Sequence, residues 1–272
     1  MGKKRLHLYV SSSISNFKEK LLQRTGLKEY HPVHNLFDDI IFFGMYHEVD
    51  YFRLTTHQGR KKIFWCGSDI LNLKKKAPII RNVIKATKAH NYCENDIEKK
   101  ALYKLGIKSE VRPMMFDDKR VPVSFEYNKN PHVYTTTHPV RGKEYGVELI
   151  EKIAPLFPNI TFHIYGNLDE RIHNNTIYHG IIPEKQFNQE IRNYQGALRL
   201  NRFDGFSEIL AKSILMGQYP ISFIPYPHIT HVYNGTTLRR ALEQLSYKKK
   251  PNKEGRNYWK RVLSQNLDAI LS

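Results

Sequence analysis

Short apolar runs of strand length alternate with amphipathic stretches of helix length along almost the whole chain, and the alternation restarts once. In the first half Leu6, Leu8 and Val10 alternate with period two, and Ile14, Phe17, Leu21 and Leu22 follow at helical spacing. Asp39–Phe43, Lys62–Trp65 and His90–Cys93 read as further strands, a helical stretch runs to about Lys88, and Glu94–Leu105 reads as a helix stopped by Gly106. Between Phe116 and Asn130 the pattern dissolves into Asp, Lys, Pro and Asn. It returns with strands at His132–Thr135, Ile160–Tyr165, Thr176–Ile181, Ala197–Leu200 and Ile221–Ile224. Between them, Tyr145–Leu156 reads as a helix with Leu149, Ile150, Ile153 and Leu156 inward, and Ser207 can cap a helix running to Gly217. Such βαβ repetition predicts an α/β protein with mostly parallel sheets, here two Rossmann-like domains facing across a cleft. The boundaries expected are 1–115, a linker at 116–131, a second domain at 132–245 and a basic helical segment at 246–272. That last segment keeps helical leucine spacing and can pack back on the first domain.

The 272 residues include 43 Lys and Arg against 26 Asp and Glu, a net charge of +17 that predicts an anionic partner: a nucleotide, a nucleic acid or an acidic lipid surface. Two cysteines, Cys66 and Cys93, exclude a disulfide framework and a thiolate zinc cluster, and read as reduced thiols of a cytosolic protein. The apolar segment after the basic start is only about five residues, too short for a signal peptide. No run approaches the ~20 apolar residues of a membrane-spanning helix. The expectation is a cytoplasmic chain, at most peripheral to a membrane.

Walker, GxGxxG, GxSxG and zincin signatures are absent, as is any Asp-x-Asp pair. The histidine pairs His31/His34 and His228/His231 lack a completing ligand, so no metal is expected. The informative stretch is Leu198–Pro220, where a strand ends, a turn containing Gly205 follows, and a helix begins at Ser207. Amides at a helix start, with its dipole behind them, suit a phosphate; a plain βα loop with a capping serine would carry the same residues.

Asp204-Gly205-Phe206-Ser207, followed by a helix and by Met216-Gly217 with Pro220-Ile221, resembles the donor-site segment of retaining GT-B glycosyltransferases. The likeness is to glycosyltransferase family 4 and its glycogen-synthase-like relatives. It covers the C-terminal half closely and the N-terminal half loosely. The resemblance implies a compact GT-B-like fold and a metal-independent hexosyltransferase that keeps the anomeric configuration. No cofactor is implied beyond a nucleotide-sugar substrate, UDP- or GDP-linked. Tyr134–Gly146 resembles the family's first C-domain loop, so Arg141 and Lys143 are candidates to clamp the donor diphosphate; two solvated loop charges are the alternative. By the same resemblance, Gly166-Asn167 matches the next strand-end glycine, Ile182 borders the nucleotide base, and Arg199 points toward the donor. The chain departs from the family at the second acid, whose place Lys212 takes. Either Glu208, one turn earlier, supplies the ribose-binding carboxylate, or donor binding has changed, or the chain is an inactive nucleotide- or sugar-binding scaffold. No catalytic residue is assigned.

In the first half, Gly44-Met45-Tyr46 and Trp65 to Asp69 are strand exits of the kind that relatives use for acceptors. Tyr46 and Trp65 could stack on a sugar while Ser68 and Asp69 bond hydroxyls; core packing for Trp65 and helix capping for Ser68 or Asp69 are equally open. The acceptor (glycan, lipid-linked sugar, protein or DNA) and the oligomeric state are not readable. Leu71–Cys93 carries Lys74, Lys75, Lys76, Arg81, Lys85 and Lys88 without an acid. That segment can lie on an anionic membrane, follow a nucleic-acid backbone, or be a solvated helix face. A nucleic-acid-binding or DNA-glycosylating protein is the competing functional reading, although no base-reading motif is present.

Overall fold

The computed structural model describes residues 5–115, 121–139, 141–166 and 173–272, which fall into two units. The first holds the described part of residues 1–118 together with Phe203–Phe206 and Leu263–Ser272; the second holds the described part of 119–202 with Ser207–Val262.

Unit 1 is built from β1 (Leu6–Val10), α1 (Lys18–Thr25), β2 (Lys28–Glu29), β3 (Asp39–Phe43), α2 (Glu48–Thr56) and β4 (Lys61–Phe64). It continues with α3 (Ser68–Lys75), α4 (Pro78–Ala86), β5 (His90–Cys93), α5 (Asp96–Lys104) and β6 (Glu110–Val111). The strands form one parallel six-stranded sheet in the order β2-β1-β3-β4-β5-β6. Successive side chains of a strand point to opposite faces, and the core follows that rule. Tyr9, Ile40, Phe42, Ile63 and Trp65 pack under α2, α3, α4 and α5 through Tyr51, Leu54, Leu73, Ile84 and Leu102. Leu8, Ile41, Phe43 and Phe64 pack on the other face with Leu21 of α1 and with Leu267 and Ile270. β3 is buried along its whole length, which is why it reads as a continuous apolar run rather than as an alternation. The stretch expected to be one helix up to Lys88 is two, α3 and α4. The break falls at Lys76-Ala77, because Pro78 holds the residue before it in an extended conformation and then starts α4.

Unit 2 comprises β7 (His132–Thr136), α6 (Val147–Ile153), β8 (Thr161–Tyr165), β9 (Thr176–Gly180), α7 (Glu184–Glu190) and β10 (Gly196–Arg199). α8 (Glu208–Leu215), β11 (Ile221–Ser222), β12 (Thr230–His231), α9 (Gly235–Leu245) and α10 (Lys253–Leu271, of which the residues to Val262 count here) complete it. Its sheet is also parallel and six-stranded, in the order β12-β11-β10-β7-β8-β9. One face packs α6 and α9 against Val133, Phe162, Ile164 and Leu198. On the other, Tyr134 donates to the Ile209 carbonyl of α8 at 3.4 Å, and Tyr165 stacks edge-on to Phe187 of α7. Within the expected helix Tyr145–Leu156 only Val147–Ile153 is α-helical. Gly146, at φ +80°, breaks it at the start, Pro155 tightens its end into a 3-10 turn, and Leu156 faces solvent instead of the core. The described part of the expected linker carries no regular element: Ser124 and Glu126 are hydrogen-bonded to Met216 and Gln195, and Phe125 is buried.

Candidate functional sites in the two units

In an open parallel sheet, ligands collect outside the carboxyl ends of the strands where the winding reverses. In unit 2 that point lies between β7, from which the chain proceeds to β8, and β10, from which it proceeds to β11. Three aromatic and cationic side chains meet there. The Arg199 guanidinium sits 4.6 Å above the Tyr145 ring, Arg141 approaches the same ring at 5.9 Å, and Arg199 Nη1 donates to the Thr136 carbonyl at 3.4 Å. Tyr145 thus holds two guanidiniums near one place by cation–π attraction. Its role was not legible from residue type. The loop can approach β10 because Gly146 has no side chain: a Cβ there would lie 2.6 Å from that of Leu200. Lys143 is more peripheral, its side chain 82% exposed and Glu148 at 4.0 Å.

The neighbouring strand ends are tied by Gly166. Its N–H donates to the Gly180 carbonyl at 2.6 Å, its φ is +89°, and a Cβ would collide with the Thr137 carbonyl. Ile182 follows β9 half-buried, leading into Pro183 and α7. Asn167 lies outside the described residues. At the start of α8, Ser207 occupies the N-cap position without a side-chain cap bond, and Glu208 is half-buried in the first turn.

Lys212 is buried. Its Nζ donates to Asn188 Oδ1 at 3.0 Å and to Glu184 Oε1 at 3.3 Å, so the cation is held by α7. A carboxylate is therefore present beside this position, on Glu184 at the end of the loop that carries Ile182.

Under α7 lies a hydrogen-bonded imidazole chain that sequence reading missed. His132 Nδ1 meets His163 Nε2 at 2.9 Å and His163 Nδ1 meets His179 Nε2 at 2.9 Å. Tyr165 donates to Glu190 at 2.7 Å. Burial, then the neighbouring His132 and His179, pull the His163 imidazole down to about 3. The three histidines were scattered in sequence and come together only because adjacent strands place them side by side.

In unit 1 the strand exits are differently employed. Trp65 is fully buried with Nε1 donating to Asn91 at 3.0 Å, which is the core-packing alternative and not a sugar platform. Asp69 is likewise buried and accepts the N–H groups of Met45, Cys66 and Ile70 at 2.9–3.0 Å. Burial, opposed by those N–H bonds, pushes its carboxyl up to about 7, and its lone pairs serve the backbone rather than a sugar hydroxyl. Met45 is buried; Tyr46 is half-buried, donating to the Cys66 carbonyl at 3.3 Å against Gly44; Ser68 is exposed at the start of α3.

The Asp204-Gly205-Phe206 turn counts with this unit and is gripped by the residues around the start of α5. Asn95 Nδ2 donates to the Asp204 carbonyl at 2.7 Å, and the Phe206 N–H donates to Glu94 Oε2 at 3.1 Å. A Cβ on Gly205 would overlap the Glu94 carboxylate. The glycine does let an oxyanion approach the backbone, and the oxyanion that does so is the protein's own. Glu98 is fully buried; its Oε2 accepts the Glu94 N–H at 2.7 Å, and burial with the adjacent Glu94 charge raises its pKa well above the ordinary carboxyl range. Glu94 and Asn95 read locally as the start of a helix, and nothing in their spacing announced a contact with residue 206. Among the described residues no cluster of three or more His, Cys, Asp or Glu has the geometry to hold a metal ion.

No family model matches the chain, and no curated protein matches it by sequence. Solved structures do. The lipopolysaccharide outer core galactosyltransferase WaaB is 14% identical, with a TM-score of 0.60 over 96% of this chain and 81% of its own. Sucrose-phosphate synthase from Thermosynechococcus elongatus is 9% identical, with a TM-score of 0.59 over 97% and 76%. The pneumococcal O-GlcNAc transferase GtfA, solved with UDP and GlcNAc, is 13% identical, with a TM-score of 0.52 over 85% of this chain. The chain spans about half the length of GtfA (55%) and of TarM (52%). These likenesses establish the GT-B glycosyltransferase fold.

Proposed function

We propose that this chain transfers a hexosyl group from a nucleotide-diphosphate sugar, UDP- or GDP-linked, to an acceptor, with retention at the anomeric carbon. The observation that carries this reading is the pairing of Arg141 and Arg199 on the Tyr145 ring at the winding reversal of the unit 2 sheet. As the glycosidic C–O bond breaks, negative charge grows on the leaving diphosphate. Two guanidiniums held in advance by an aromatic ring stabilise that charge without reorganising. The turn at Gly146 seats the Arg141–Tyr145 loop against Leu200 at the end of β10, and the first amides of α8, next to Ser207, add donors. Lys143 contributes charge from the periphery. Ile182 borders the base, and Glu184, rather than Glu208, supplies the carboxylate that accepts from the ribose hydroxyls, with Lys212 holding it in place. Two strand-exit residues of unit 1, the exposed Ser68 and the half-buried Tyr46, serve the acceptor.

Calorimetric titration with UDP, GDP and ADP tests the reading. One nucleotide should bind with an affinity that persists at high salt, and donor hydrolysis or transfer should follow with the matching sugar nucleotide. Absence of binding by every nucleoside diphosphate would overturn it.

A further inference from the structure

The four helices α2, α3, α4 and α5 cover one face of the unit 1 sheet, and their outward surface has a composition that burial within this chain does not explain. Lysines dominate it: Lys74 and Lys75 on α3, Lys85 on α4, Lys99, Lys100 and Lys104 on α5. Of the acids on these helices, Asp50, Asp69 and Glu98 are buried and Glu48 is paired with Lys76, which leaves Asp96 against that row of cations. Large apolar side chains are exposed on the same layer of helices: Phe52 (66% exposed) with Val49 on α2, Ile79 (66%) on α4 and Tyr103 (72%) on α5. Lys99, Lys100, Lys104 and Lys108 line a groove of about 610 Å³ together with Asp96, the buried Ile107 and the exposed Tyr103. Lys85 reaches the same end of α5, its Nζ lying over Gly106.

We propose that this face docks on an anionic lipid bilayer. The lysines would sit on headgroup phosphates with their stems laid along the surface, and Phe52, Ile79 and Tyr103 would enter the headgroup–acyl boundary. Charge complementarity asks for an anionic partner, and the apolar tips decide which. A nucleic-acid backbone would neutralise the lysines but leave an isoleucine and a phenylalanine in water, whereas a bilayer takes up both.

Co-sedimentation of the full chain with vesicles of phosphatidylcholine alone, or with about one third phosphatidylglycerol, tests this. The chain should bind the mixed vesicles and not the neutral ones. Lys99→Gln with Lys104→Gln should weaken binding about 25-fold, about fivefold per ammonium removed. Phe52→Ser with Ile79→Ser should cost at least about tenfold and should do so even in high salt. Hydrogen exchange of the unsubstituted chain on vesicles should show protection along α2, α4 and α5. The proposal falls if the mixed vesicles fail to bind the chain at low salt. It falls equally if both double variants bind unchanged, if protection appears only in unit 2, or if duplex DNA binds with the same loss in the lysine variant and none in the apolar one.

Discussion

The Phe206 N–H donates to the Glu94 carboxylate at 3.1 Å across 112 residues of sequence, and the absence of a side chain on Gly205 is what admits that carboxylate. Glu94→Ala leaves the Phe206 and Met114 amides without this acceptor in a buried place, and should cost about 2 to 4 kcal/mol in urea unfolding. Gly205→Ala, which forces the turn off Glu94, should cost a similar amount. Stability unchanged in both would mean the contact contributes nothing.

Gly166 combines a left-handed backbone with a carbonyl where a Cβ would be. Gly166→Ala therefore meets two penalties at once, and a loss of about 3 kcal/mol or more is expected by thermal or denaturant unfolding. Gly26 serves as the internal control: it is also left-handed, at φ +67°, but a Cβ there meets nothing within 4 Å. Gly26→Ala should cost about 1 kcal/mol.

Arg199 lies over the Tyr145 ring at the carboxyl edge of the unit 2 sheet, with its guanidinium at the place proposed for the donor diphosphate. Arg199→Ala should weaken nucleoside diphosphate binding about thirtyfold by calorimetry, as expected for one lost charge-assisted contact. Tyr145→Leu should weaken it less, by releasing both guanidiniums. Unchanged affinity in Arg199→Ala would remove this residue from the donor site.

Lys212 faces Glu184, so an acid placed there meets a carboxylate rather than a ligand. Lys212→Glu should destabilise by about 3 kcal/mol, because it sets two carboxylates against each other in a buried place. Lys212→Met, which keeps the volume and removes the charge, should fold nearly as well as the parent, leaving Glu184 at the rim in contact with water. Equal unfolding midpoints for the two variants would contradict this.

Acid should unfold unit 2 through His163. Its pKa is held at about 3 in the folded state against an ordinary 6.5, so the unfolded chain binds the proton first as pH falls. The stabilisation is fully present above the unfolded value and is lost progressively from there down to the folded one, up to about 5 kcal/mol. His163→Gln, which cannot take up that proton, should flatten the decline in urea midpoint between about pH 7 and about pH 4. An identical pH profile would show that other groups drive the acid transition.

Period-two and helical spacing of apolar residues determined most of the elements in advance, because which side of a strand or helix is buried is a local property. Thus β3 and β5 fall where Asp39–Phe43 and His90–Cys93 predict them, and the parallel α/β class follows from their repetition. The resemblance to known glycosyltransferases singled out Gly166, Arg141, Arg199 and Lys212 as candidates from their order along the chain. What those residues touch was decided by tertiary structure. Sheet order brought His132, His163 and His179 into one hydrogen-bonded row, and the end of β10 brought Arg199 over Tyr145. Burial turned Trp65 and Asp69 from candidate sugar contacts into core and backbone anchors, and the grip of Glu94 on Phe206 joins residues whose local patterns carry no trace of each other. Periodicity reports only which way a side chain points from its own element. Its partner comes from a distant strand or loop, and only the folded chain chooses it.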